Sequence, residues 1–289
     1  MLVKRNRKAI ISETDGFSVL KVKNWYFNKL GIIQSYIKAY STRFDLRNKT
    51  KMLLYIGAGP GMVTSDNNTK ARYGTPLSLL SSTQFQRYIF CDNNPDYINA
   101  LKVRVGHTHP KKQVIFLEGD INQSIEKLPP YLPDKTSGNE TSILCIVDLQ
   151  SFDINFETIE ILADMNVDFI LINSFIHSKY YSYKFYLDDE RETMNAYFGS
   201  SWARLAELTE LDSDVAFFML VVKAYMEQIK QLGYNVSGTL HKYGIEDCLV
   251  PYYQIAYCTK SRALNAIKQL AVKDVSRQTE LFSEVSASD

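Results

Sequence analysis

A chain of 289 residues with 45% hydrophobic content is long enough to bury a sizeable core, which excludes a largely disordered polypeptide. Thirty-three basic residues against thirty-two acidic ones leave a net charge of +1, so no global field draws the chain to nucleic acid or to an anionic membrane. The cysteines Cys91, Cys145, Cys248 and Cys258 form no Cys-x-x-Cys pair, which disfavours a metal centre built by this chain alone, and no apolar run approaches the roughly eighteen residues of a membrane span. The sequence therefore reads as a soluble, cytoplasmic protein with reduced, buried thiols.

In chain order, residues 1–22 mix charges with short apolar pairs and define no element. From Trp25 to Phe44, the residues Trp25, Leu30, Ile33, Ile37 and Tyr40 recur at near-helical spacing, with Lys29, Gln34 and Lys38 on the other side. That spacing predicts an amphipathic helix whose aromatic residues pack. Residues 51–57 predict the first strand, which runs into Gly57-Ala58-Gly59-Pro60-Gly61. Glycines at alternate positions let a strand end bring its backbone against a ligand where a Cβ would collide, although the same pattern also serves as a plain tight turn. The polar run after Gly61 reads as a loop to Gly74, followed by a helix with Thr75 as N-cap and Pro76 in the first helical position.

A second strand, Tyr88 to Cys91, ends in Asp92-Asn93, where a carboxylate is placed to accept hydrogen bonds from ribose hydroxyls or to cap the helix that follows. A third, Val114 to Leu117, ends in Glu118-Gly119-Asp120 before Ile121, with the same two uses open to Asp120. Residues 129–140 are a loop by composition. A fourth strand, Ser142 to Val147, ends in Asp148-Leu149-Gln150; a helix over Phe156 to Asp164 and a fifth strand over Val167 to Asn173 follow. This recurrence of strand, polar end and helix predicts a doubly wound, Rossmann-like α/β fold with a mostly parallel sheet.

The stretch Asn173 to Tyr186 is dense in aromatic residues, and its Lys179, Tyr181, Tyr183 and Lys184 suit either stacking on nucleic-acid bases or packing as a lid. His177 beside it reads as a structural histidine. A helical insertion is expected over about residues 176–211, a helix from Val215 to Leu232 closed by Gly233, and paired strands at Tyr234 to Leu240 and Tyr252 to Thr259. A last amphipathic helix is expected over Arg262 to Phe282, to dock a partner or cover the sheet. The whole reads as a single α/β domain.

The ordered set Gly57-Ala-Gly-Pro-Gly61, Gly74-Thr-Pro76, Asp92 after the second strand, Glu118-Gly-Asp120 with Asn122, Asp148 after the fourth strand, and Tyr197-Phe198-Gly199 with Trp202 resembles the three-Cys-motif partner proteins, TcmP. Those bacterial and mobile-element proteins are similar to class I methyltransferases, and the resemblance covers about residues 25–260. It implies a methyltransferase sheet with an antiparallel C-terminal ending, S-adenosylmethionine at Gly57, Gly59 and Gly61, its ribose at Asp92 and Asn93, and its adenine near Asp120 and Ile121. It also implies a partner protein carrying clustered cysteines, and methyl transfer to an acceptor, nucleic acid among the candidates, held near Asp148 and Gln150. Two departures stand out. Tyr55 replaces the acid that opens the family's Asp-Leu-Phe-Ala-Gly-Pro-Gly stretch, and Asp148-Leu-Gln-Ser-Phe152 lacks the family's proline after the fourth strand. A retained fold that serves only as an interaction platform is the alternative reading.

Overall fold

The computed structural model describes residues 10–47, 49–65, 68–81, 85–132, 141–149, 152–174, 183–187, 191–199, 211–244 and 250–262, with Trp202 and Leu264. The elements are β1 (Ile10–Ile11), β2 (Ser18–Val22), α1 (Trp25–Ser41), β3 (Thr50–Ile56), β4 (Met62–Ser65), β5 (Asn68–Tyr73), α2 (Thr75–Ser81), β6 (Arg87–Asp92) and α3 (Pro95–Thr108). Then come β7 (Gln113–Glu118), α4 (Ile121–Ser124), β8 (Thr141–Val147), α5 (Phe156–Asp164), β9 (Asp168–Ser174), α6 (Tyr183–Leu187), α7 (Arg191–Phe198), α8 (Asp214–Gln231), β10 (Asn235–Lys242) and β11 (Tyr252–Thr259).

Seven strands form the main sheet in the order β10-β11-β9-β8-β3-β6-β7. The pairings β3 with β6, β6 with β7, β3 with β8, and β8 with β9 are parallel, whereas β11 runs antiparallel to both β9 and β10. The fold is the expected Rossmann-like sheet, mostly parallel with an antiparallel ending. Its strands are near-continuous apolar runs because both faces are covered. Alternation along β3 sends Met52, Leu54 and Ile56 to one face, with Ile159, Met194 and Phe217 of α5, α7 and α8. The same alternation sends Leu53 and Tyr55 to the other, with Ile33, Leu77 and Leu101 of α1, α2 and α3. The chain winds from β3 outward through β6 to β7, then returns to β8 on the opposite side of β3. That reversal puts the switch point of the sheet between β3 and β8, and the carboxyl ends of strands at such a point are where open α/β sheets hold ligands.

Four expectations are corrected. The polar run after Gly61 is not a loop but the antiparallel pair β4–β5, and the featureless N-terminus supplies β1 and β2; together they make a four-stranded sheet in the order β1-β2-β4-β5. Thr75 is the first residue of α2 rather than a side-chain cap: its hydroxyl lies 3.0 Å from the Tyr26 hydroxyl, which also accepts the Thr75 N–H at 2.9 Å. Finally, Lys29 does not share the solvated face of α1 with Gln34 and Lys38; it is buried. The expected helix over residues 262–282 and His177, Lys179 and Tyr181 lie outside the described residues, apart from the first few residues of that helix.

Candidate functional site

β3 ends at Ile56, and the next residues turn through Gly57, Gly59 and Gly61 at φ of +79°, +68° and +85°, backbone that residues with a Cβ rarely adopt. A Cβ added to Gly57 would sit 2.6 Å from the Asp148 carbonyl oxygen, and one on Gly61 would sit 2.7 Å from Leu101. Both glycines are thus required by the packing of β3 against β8 and α3. At Gly59 the added Cβ would meet only the Leu20 side chain of β2, at 3.2 Å. Ala58 to Gly61 are buried, and Gly57 is the half-buried residue through which the turn faces the rim.

The N-terminal strands are fixed over this turn by one buried cation. Arg104 of α3 donates to both Asp15 oxygens (2.7 and 2.9 Å), to the Ser18 carbonyl at 2.8 Å and to the Pro60 carbonyl of the turn at 2.7 Å. The guanidinium holds the Asp15 carboxyl below its ordinary value. No local sequence signal marks this hub, since a lone arginine on a helix reads as solvated.

Asp92, at the end of β6, joins the turn directly. Its Oδ2 accepts the Gly59 N–H at 2.7 Å and its Oδ1 accepts the Asn94 N–H at 2.9 Å. Burial pushes its carboxyl above the ordinary value, and those two N–H groups oppose the shift. The cap of α3 is not Asp92 but Asn94, whose side chain accepts from Asp96 and Tyr97. Asn93 is exposed beside it. Asp120 is exposed and caps α4 by accepting the Asn122 N–H at 2.9 Å, whereas Ile121 turns inward to the core.

Asp148 carries the largest surprise. Lys29 of α1 donates to its Oδ1 at 2.8 Å and its Oδ2 at 2.6 Å, and the Tyr55 hydroxyl donates to Oδ2 at 2.8 Å. The lysine and aspartate side chains are only 5% and 10% exposed. The Lys29 ammonium also lies 4.9 Å from the Tyr26 ring centre, so an aromatic face supports it. Tyr55 is thus a donor to the aspartate one strand away. Asp148 is a counter-ion more than a free carboxylate. Gln150 lies outside the described residues. A cavity of about 10 Å³, lined by Val147, Leu149, Leu171, Asn173, Tyr197 and Tyr225 among others, follows the ends of β8 and β9, room for a water at most.

These residues fit an adenosyl cofactor. A ribose diol needs paired acceptors, and each Asp92 oxygen accepts one N–H in the structure, leaving a lone pair. A sulfonium is favoured by anionic surroundings, which Asp92, Glu118 and Asp120 supply along the carboxyl ends of β6 and β7.

No family profile matches the chain, and no curated protein sequence matches it. Solved structures do. The bifunctional kinase-methyltransferase WbdD aligns at 14% identity and a TM-score of 0.45, over 81% of this chain and 39% of that one. An O-methyltransferase from Bacillus cereus in complex with SAH aligns at 8% identity and 0.43, over 79% of this chain and 80% of that one. The O-methyltransferase TomG from Streptomyces achromogenes, in complex with SAM, aligns at 12% identity and 0.43, over 81% and 79%. This chain spans about two fifths of the WbdD chain.

Proposed function

We propose that this chain is a methyltransferase-like protein that binds S-adenosylmethionine across the carboxyl ends of β3, β6 and β7. The observation that carries the reading is the hydrogen bond from Gly59 to Asp92, which ties a left-handed glycine turn beside the switch point of the sheet to a half-buried acid at the end of β6. In this reading Asp92 accepts from the ribose, Gly57 lets the backbone approach the ligand, and Asp120 and Asn93 flank the base. When bound, the cofactor supplies an electrophilic methyl for in-line displacement, a reaction that asks the protein for proximity and alignment rather than strong acid or base. The resemblance to three-Cys-motif partner proteins adds a partner protein with clustered cysteines, acting in a bacterial or mobile-element system.

The test is calorimetric titration of the cofactor-stripped protein with S-adenosylmethionine and S-adenosylhomocysteine. Saturable binding is expected, and Gly59→Arg, while still folded by circular dichroism, is expected to lose it. A folded wild-type protein that gives no heat with either ligand overturns the reading. It would favour the platform alternative, which the engagement of Asp148 by Lys29 and Tyr55 supports: that carboxylate has exchanged an acceptor-holding role for a structural one. A platform keeps partner binding in Gly59→Arg.

A further inference from the structure

The small sheet beside the glycine turn concentrates positive charge. β4 leaves Gly61 and β5 returns at Gly74, whose N–H bonds the Gly61 carbonyl at 2.7 Å, so this hairpin grows directly from the turn. Strands β2, β4 and β5 read SVLKV, MVTS and NTKARY, with three cations and no acid among them. Lys21 of β2 stands opposite Thr64 of β4, and Arg72 of β5 stands opposite Val63, one row away. Two strand spacings put Lys21 and Arg72 about 10 Å apart. Because β2 is parallel to β4 and β5 antiparallel to it, Lys23 lies beyond Lys21 in the direction in which Lys70 lies beyond Arg72. The four cations thus form two short rows astride β4, and all four are exposed.

An aromatic ring stands at the base of the β5 row. Tyr73 is 41% exposed, and its ring centre lies 6.2 Å from that of His109, just past α3. The Ser81 and Thr108 hydroxyls hold His109 at 3.2 and 2.7 Å. The acids nearest in sequence are Glu13, Asp15, which Arg104 engages, and Asp66, which lies outside the described residues. Four of the nine residues before β1 are Lys or Arg and none is acidic, so the sequence entering this sheet carries the same sign.

We infer that β2, β4 and β5 form a docking surface for single-stranded nucleic acid, the two cation rows following the phosphates and Tyr73 stacking on a base. The inference does not depend on cofactor binding. Charges on an edge strand such as β5 also keep sheets from joining edge to edge. That use leaves unexplained Lys21 on the inner strand β2 and an exposed ring beside the row. Acidic proteins and anionic membranes would answer the same charge; the ring is what favours bases, each of which offers a π-face.

The experiment is fluorescence anisotropy of a labelled oligothymidylate of about 20 nucleotides, titrated with the full chain between about 50 and 200 mM salt. Saturable, salt-sensitive binding is expected. Lys70→Ala with Arg72→Ala is expected to weaken it about tenfold and to flatten the plot of log affinity against log salt by about 1.4, the share of two phosphates. Tyr73→Leu is expected to weaken binding about five- to a hundredfold with the slope unchanged. Should the β5 pair fail to fold, Lys21→Ala with Lys23→Ala tests the other row, with the same flattening expected. Lys223→Ala with Lys230→Ala removes as much charge from α8, across the main sheet, and is expected to change neither affinity nor slope. Absence of binding by the wild-type protein at the lowest salt overturns the inference. So does an unchanged slope in the variants of the small sheet, an equal effect of the α8 pair, or competition by polyglutamate as strong as that of unlabelled oligothymidylate.

Discussion

Near each end of α1 a cation is buried against an aspartate, and the two pairs differ in how many partners each cation engages. At the C-terminal end, Arg43 lies at the starts of the strands, where its guanidinium reaches Asp168, both oxygens of Asp45 (3.1 and 2.6 Å) and the Tyr257 hydroxyl at 3.2 Å. Asp168 in turn accepts from Tyr257 at 3.0 Å, and burial pushes its carboxyl up against the pull of Arg43. At the N-terminal end, Lys29 meets Asp148 at the carboxyl rim with a donor to spare. A rigid fork spends itself on three partners, whereas a compact ammonium over an aromatic ring spends itself on one carboxylate. The same helix is thus tied to the sheet at both ends of its strands.

The sharpest way to break this comparison is Arg43→Met. Leaving Asp168 buried without its cation is expected to cost about 3–5 kcal/mol in denaturant unfolding. A loss under about 1 kcal/mol would place the fastening elsewhere. Lys29→Met comes next. Asp148 keeps the Tyr55 hydroxyl and a share of solvent, so the loss of stability is expected near 1–3 kcal/mol. Adding Asp148→Asn should recover most of it, because the stranded charge is gone, and a double variant no more stable than the single one would contradict the pairing. The smallest effect concerns Asp15. Its folded value lies below the ordinary 3.8, so the stability it contributes is fully present above that value and is lost as pH falls through the folded value. Asp15→Asn should therefore lower stability slightly at neutral pH and flatten the acid limb of the stability curve, the two proteins converging as pH falls below about 4.

The main sheet was legible because each parallel strand is an apolar run long enough to stand out, and α5 falls on the expected residues, Phe156–Asp164. The rim was legible for the same reason: polar residues mark where each run stops, which located Asp92, Asp120 and Asp148. What they bond to was not. Lys29 sits among Trp25, Tyr26 and Leu30 in sequence, but helical spacing placed it with Gln34 and Lys38, and only a partner 119 residues away makes its burial tolerable. The strands β2, β4 and β5 escaped because they are short and their apolar residues are broken up by polar ones. Their assembly depends on Arg104, a contact that no local pattern encodes.

The parallel register of β2 on β4, Leu20 opposite Val63 and Val22 opposite Ser65, joins two segments with all of α1 and β3 between them. Closing so long a loop is slow and gains nothing until the glycine turn has formed, so the N-terminal strand is expected to dock last during refolding. By the same logic it should be the first to exchange its amide protons in the native state, lifting Leu20 from Gly59 while the seven-stranded sheet stays protected. The turn would then be uncovered by fraying of the chain's own first strand, at a cost set by Arg104 rather than by the core.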